Sequence, residues 1–362
     1  FVFKGAAGGS SYIGLNGASD ATNGFYNVEI HASGRTVNIS SSSLSIHNNF
    51  TLTDGTFDTG GFNLTVTGAI DITGTLTGNA SAISAGGLRV NDTGIFNAPT
   101  SAGSCSITGE LSSYAFRISG GGTLNNNTGT ITFLNVNSRL MMNGTGNIYN
   151  LTLNHASCFI MLHSDGTTTI EGNLTITAGQ LTTYMEGTTT SKDLTVTGNT
   201  RIGPASGGAD QATLTCNASA VSLGSGLTTD YGLTVVKGGT FVGGTGTHTM
   251  GSVFIDAFAD AKCTLTNGVT TLDGEDSGGY TWRNNGGTFA HNDGTVTTNS
   301  SVDTKIRENT FYNLIINQSS SGKFVYWEDT SGNTCTVAND LTITMGRLRG
   351  LVASDTVAVT GD

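Results

Sequence analysis

The feature that most constrains this chain is its internal repetition. The phrase Phe25-Tyr26-Asn27-Val28-Glu29-Ile30 returns as Ile148-Tyr149-Asn150-Leu151-Thr152-Leu153 and again as Phe311-Tyr312-Asn313-Leu314-Ile315-Ile316. A second phrase follows each copy: Asn49-Phe50-Thr51-Leu52-Thr53, then Asn173-Leu174-Thr175-Ile176-Thr177, then Asp340-Leu341-Thr342-Ile343-Thr344. A third phrase comes later in each case: Leu64-Thr65-Val66-Thr67-Gly68, Leu194-Thr195-Val196-Thr197-Gly198 and Val357-Ala358-Val359-Thr360-Gly361. A fourth precedes the tyrosine phrase, with Gly121-Gly122-Thr123-Leu124 matching Gly286-Gly287-Thr288-Phe289. Ahead of it, Tyr114-Ala115-Phe116-Arg117 resembles Tyr280-Thr281-Trp282-Arg283. The phrases define cassettes at roughly 1–110, 111–275 and 276–362, the middle one lengthened by an insertion near 205–260.

Each phrase reads as a short strand. In Leu174-Thr175-Ile176-Thr177 the apolar residues face one way and the threonines the other, and glycine follows within two residues. Composition agrees. The 53 glycines have no three-residue period and there are only 2 prolines, which excludes collagen. Apolar residues reach 36%, too many for a disordered chain. Gly and Thr are poor helix formers, whereas Thr, Val, Ile and Phe suit a pleated, half-buried surface.

A unit this short cannot bury its apolar face alone, but stacked coils can bury a continuous core. The expected fold is therefore all-β: one continuous parallel β-solenoid over 1–362, of the right-handed β-helix type. Coils of about 18–25 residues would give some 15–18 coils. At about 4.8 Å per coil the rod would be roughly 75–85 Å long. Gly and Asn supply the turns, and outward Thr, Ser and Asn form ladders. The rival is a string of β-sandwiches, which would bring more proline, more charge and regular domain lengths. Neither end reads as a polar cap, so the chain is expected to be a segment of a longer protein or to be capped by neighbouring subunits.

Only 15 Lys and Arg are spread over the chain against 26 acids, with no basic cluster, which argues against nucleic acid as a partner. No apolar run approaches the ~18 residues of a membrane span. Cys105, Cys158, Cys216, Cys263 and Cys335 form no close pair, and each shares alternation parity with apolar neighbours. They are expected to be inward thiols acting as small hydrophobes, with a disulfide or a reactive thiol as the lesser alternative.

No catalytic residues, metal ligands or cofactor are expected. Polysaccharide cleavage would need paired carboxylates on neighbouring coils. The densest acidic stretch is Asp273-Gly274-Glu275-Asp276, followed by Tyr280, Trp282 and Arg283. Glu275, Asp276, Tyr280, Trp282 and Arg283 form a candidate glycan-contact patch; the plainer alternative is a polar loop before a strand with packed aromatics. The histidines, among them His155, His163 and His248, show no HxH or HExxH spacing and are expected to be scattered on the surface. The Asp-Gly dipeptides read as turns, without the nonapeptide regularity of calcium-binding rolls.

The phrases FYNLxI, NLTITAG and DLTVTG, with their Gly-Gly-Thr-Phe and Gly-Thr-Val-Thr units, resemble long repetitive β-solenoid proteins of bacteriophages, especially marine-phage fibre and virion-surface proteins. They are also similar in repeat style to secreted bacterial adhesins. The resemblance covers nearly the whole chain and carries no catalytic motif. It implies an extracellular fibre, decoration or adhesive stalk, often a homo-oligomer or stacked end to end, with a cell-surface glycan as a possible ligand.

Overall fold

The computed structural model describes residues 2–4, 10–13, 24–184, 190–204, 211–307, 310–328, 335–352 and 355–361. Every regular element among them is a β-strand. The strand ladders are parallel, each coil pairing with the next. The chain is a parallel β-solenoid of about 14 turns, and it divides into two units, Phe1–Gly172 and Asn173–Asp362.

Within the first unit the alternating residues line up in columns along three strips. Val28, Phe50, Ile70, Leu88, Phe116 and Leu140 stand in register on one strip. Val37, Phe57, Leu76, Phe96 and Leu124 form the second. Leu44, Leu64, Ile83, Cys105, Ile131 and Leu151 form the third. All of these side chains are buried, and each large one contributes about 1.5–3 kcal/mol by leaving water. The second unit repeats the plan. Leu174, Thr200, Leu233, Val253, Trp282, Ile306 and Trp327 stack on one strip. Trp282 packs edge-on against Phe289 and Phe311, with ring centroids 4.8 and 5.3 Å away.

The tyrosine phrase has one structural role in all its copies. The carbonyls of Phe25 and Tyr26 accept from the amides of His47 and Asn48. Those of Ile148 and Tyr149 accept from Glu171 and Gly172, and those of Phe311 and Tyr312 from Ala338 and Asn339. The following asparagine also reaches the next coil: Asn27 Oδ1 accepts from the Asn49 amide at 3.1 Å, and Asn313 Oδ1 from the Asp340 amide at 3.2 Å. Corners fall to residues that tolerate positive φ. Asn79, Asn127, Asn135, Asn217 and Asn292 lie at φ of 47–55°. At Gly55 (φ 75°) a β-carbon would sit 2.2 Å from the Ala32 carbonyl oxygen, so only glycine fits.

Several expectations change. Coil length is more variable than 18–25 residues: Asn313 bonds Thr295 across 18 residues, whereas Thr183 bonds Cys216 across 33. Longer coils make fewer turns, hence about 14 rather than 15–18. Of the expected insertion near 205–260, residues 205–210 lie outside the described residues. The polar ladders are not confined to the exterior. Asn125 Nδ2 donates to Asn97 Oδ1 (2.7 Å) and Asn97 Nδ2 to Thr77 Oγ1 (3.0 Å) on the outside. Inside, Ser81 Oγ donates to Thr59 Oγ1 (2.6 Å), which donates to the Gly78 carbonyl (2.9 Å). A hydroxyl can be buried when the neighbouring coil presents a partner at the same position.

The histidines are not all on the surface. His248 is fully buried, in register between Val221 and Thr270, with its ring edge-on to Phe241. Burial pushes its pKa down to about 4. All five cysteines are buried, and Cys105, Cys158, Cys216 and Cys263 are unpaired. Burial pushes the thiols of Cys105 and Cys263 up to about 12 and that of Cys158 up to about 11.

Candidate functional site

Tyr114 and Arg117 are three residues apart, so an unbroken strand would send them to opposite faces. The strand Tyr114–Ile118 is broken. Tyr114 pairs with Arg139 while Phe116 pairs with Leu140, which leaves Ala115 as an extra residue. Ala115 and Phe116 are both buried, and Tyr114 and Arg117 both reach the outer face. The strand Tyr280–Asn284 carries the same bulge: Tyr280 pairs with Lys305 and Trp282 with Ile306. Thr281 and Trp282 turn inward, Tyr280 and Arg283 outward. A bulge that re-aims side chains is a device found at functional surfaces.

In the second unit the outward column on this strip is Arg201, Thr234, Phe254, Arg283, Arg307 and Glu328. The Tyr280 ring lies among cations: Arg283 at 5.0 Å, Lys305 at 5.0 Å and Arg307 at 5.8 Å from its centroid. Each such contact is worth about 0.5–1 kcal/mol at an exposed site. The Tyr280 hydroxyl donates to the Glu328 carboxylate, which also lies 3.5 Å from Arg307 Nε. Burial first, then that carboxylate, raises the Tyr280 pKa. Arg283 and Arg307 both donate to Asn285 Oδ1 at 3.2 Å. Beside this group a cleft of about 350 Å³ is lined by Asn199, Arg201, Asp230, Tyr231, Thr234 and Phe254, among others. Burial pushes the Tyr231 phenol up to about 12, assisted by its hydrogen bond to Asp276 and opposed by Arg283.

The first unit repeats the arrangement with different partners. Arg117 lies 5.1 Å and Arg139 6.0 Å from the Tyr114 ring centroid. The Tyr114 hydroxyl lies 3.4 Å from His163 Nδ1, and the imidazole stands edge-on to the ring at 5.3 Å. Next to Arg117 in the column, Arg89 pairs with Asp71, whose hydrogen bond raises the Arg89 pKa.

Of the candidate patch residues, Tyr280 and Arg283 stand together on the outer face. Trp282 does not join them: it is fully buried and belongs to the core. Asp276 is 4% exposed, and its Oδ1 accepts from the Gly278 and Tyr280 amides at 2.8 Å, holding the turn before the strand. Burial and the neighbouring Asp276 raise the Glu275 pKa, partly offset by Lys305. Asp273 accepts from the Gly226 amide at 2.9 Å. Sequence reasoning missed Arg139, Lys305, Arg307 and Glu328, because they come from other coils. One signal was present: a cation stands 25 residues after each bulge tyrosine, at Arg139 and Lys305. Among the described residues no group of three His, Cys, Asp or Glu could hold a metal ion, and no helix is long and apolar enough to cross a membrane. Comparison with protein-family models, curated proteins and solved structures finds no match to this chain.

Proposed function

We propose that the chain is a non-enzymatic, extracellular β-solenoid with a structural and adhesive role, as part of a bacteriophage virion fibre or surface decoration engaged in assembly or host attachment. The observation that carries this reading is the doubled tyrosine–cation surface, held on the outer strip of a parallel ladder. It is an open contact surface laid along stacked coils. An attachment protein can use such a surface against a cell-surface glycan, since aromatic faces and cations both recognise sugars and their charged substituents. The repeat style supports the fibre assignment. Asp276 supports the non-enzymatic one, because its carboxylate is occupied by backbone amides.

The test is labelling of intact particles. Antibodies to this chain should decorate thin projections or the shell of virions in electron micrographs, and the purified chain should compete with particles for adsorption to host cells. Labelling confined to a bacterial surface would replace the virion reading with that of a secreted adhesin. Depolymerisation of a capsular polysaccharide, abolished by Glu275→Gln, would overturn the non-enzymatic reading.

A further inference from the structure

We propose that Tyr114, Arg117, Arg139 and His163 form a binding site for the carboxylate of an acidic polysaccharide, such as a uronic-acid polymer. The proposal deepens the adhesive reading and rests on it.

The two copies of the bulge differ in what stands beside the tyrosine. In the second unit the place two coils beyond Arg283, in the same outward column, belongs to Glu328. Its carboxylate takes the Tyr280 hydroxyl hydrogen and lies beside Arg307. That copy shows what the arrangement holds: a carboxylate bonded to a phenol and within ion-pair distance of a guanidinium. In the first unit the place two coils beyond Arg117 belongs to His163, one residue past the Leu140–Leu162 pair. The carboxylate is missing from that position and Met141 stands where Arg307 does, while the tyrosine and Arg117 remain and Arg139 takes the place of Lys305. Neither Arg117 nor Arg139 has a carboxylate within ion-pair distance among the described residues. Arg117 Nε is buried without a hydrogen-bond partner, as is Arg307 Nε in the second unit. The first unit differs in having no carboxylate beside its guanidinium groups, so an acceptor from outside would supply the charge that Glu328 supplies in the other copy. The one nearby acid on the column, Asp71, is already committed to Arg89 and Asn91.

A sugar acid suits the surroundings better than an acidic peptide. The strip is lined by a tyrosine ring and by hydroxyl and amide groups such as Thr73 and Asn91, which match the faces and hydroxyls of a sugar. The ligand's carboxylate would accept from the Tyr114 hydroxyl, as Glu328 accepts from Tyr280 in the other copy, and would lie beside one or both guanidinium groups.

The experiment measures binding of polygalacturonate to the full chain by calorimetry. Its fully methyl-esterified form serves as the uncharged control and polyglutamate as the peptide control. Polygalacturonate should bind, and the ester should bind at least about 10-fold more weakly, as expected for loss of one charge-assisted contact. Arg117→Gln with Arg139→Gln should weaken binding by a similar factor or more. His163→Glu should close the site by supplying the internal carboxylate that Glu328 supplies in the second unit. Unreactive buried thiols in each variant would confirm folding. Equal binding of acid and ester, or no effect of either variant, overturns the carboxylate site while leaving a neutral-glycan adhesive reading intact. Preference for polyglutamate, or no binding of any probe, overturns the proposal directly. The adhesive reading fails separately, if the chain does not compete for adsorption to cells.

Discussion

At the scale of single residues, burial sets the chemistry. His248 faces the core in a column of Leu194, Val221, Thr270 and Val296. Its pKa falls from 6.5 to about 4 on folding. The unfolded chain therefore binds a proton that the folded chain refuses. This contribution is fully present above about pH 6.5 and is lost as pH falls toward 4, by about 3 kcal/mol in all. Denaturant titrations between pH 7 and pH 4 should show that loss, and His248→Leu should flatten its share of the slope. The thiols give a second outcome. Buried and pushed toward or above 11, Cys105, Cys158 and Cys263 should react with a thiol reagent only at the rate of unfolding. Rapid labelling of the native protein at pH 8 would contradict this. At Tyr280, Glu328→Gln removes the carboxylate that, after burial, raises the phenol, so spectrophotometric titration should show that pKa moving down.

At the scale of elements, the bulge strands matter most. A strand alternates its side chains strictly, so one extra residue decides whether a tyrosine and an arginine three positions apart share a face. Ala115 is the extra residue of its bulge and is turned inward, where an unbroken strand with Phe116 inside would turn it out. Ala115→Arg should therefore bury an unpaired guanidinium, at a cost of several kcal/mol, and lower the melting temperature far more than Tyr114→Ala, which removes only an outer-face ring. Equal melting temperatures for the two variants would show that the bulge does not hold this position inside. The corner elements act differently. The tyrosine phrase places successive coils through two backbone acceptors and one asparagine, which explains why Asn recurs there while the flanking apolar residue varies among Phe and Ile.

At the scale of the whole molecule, coils contact chiefly their neighbours, so stability is a sum of local terms. Phe57 is fully buried between Val37 and Leu76. Phe57→Ala should cost about 3–5 kcal/mol by transfer and cavity. Hydrogen-exchange protection should drop in the coils that pair with this strand and persist at Leu151–Leu153, several coils on in the same unit. Uniform loss of protection across the first unit would instead show that its coils unfold as one.

The parallel solenoid, the inward cysteines and the Asn and Gly corners were all legible in the sequence. Each depends on a local rule: alternation of apolar and polar residues, the parity of a thiol with its neighbours, the tolerance of Asn for positive φ. The same rules misled at Trp282, placed with Tyr280 on a contact surface although the bulge turns it inward. They misled again at His248, whose polar character concealed an inward register position. Coil length was not legible either, because a corner can lengthen without disturbing the strands on either side. What only the tertiary structure decided is which coils meet. Arg139 beside Tyr114, and Glu328 against Tyr280, depend on the register of strands 25 to 48 residues apart. That register is set by the summed lengths of corners whose conformations no single phrase determines, whereas the apolar alternation that builds the core is written into each strand.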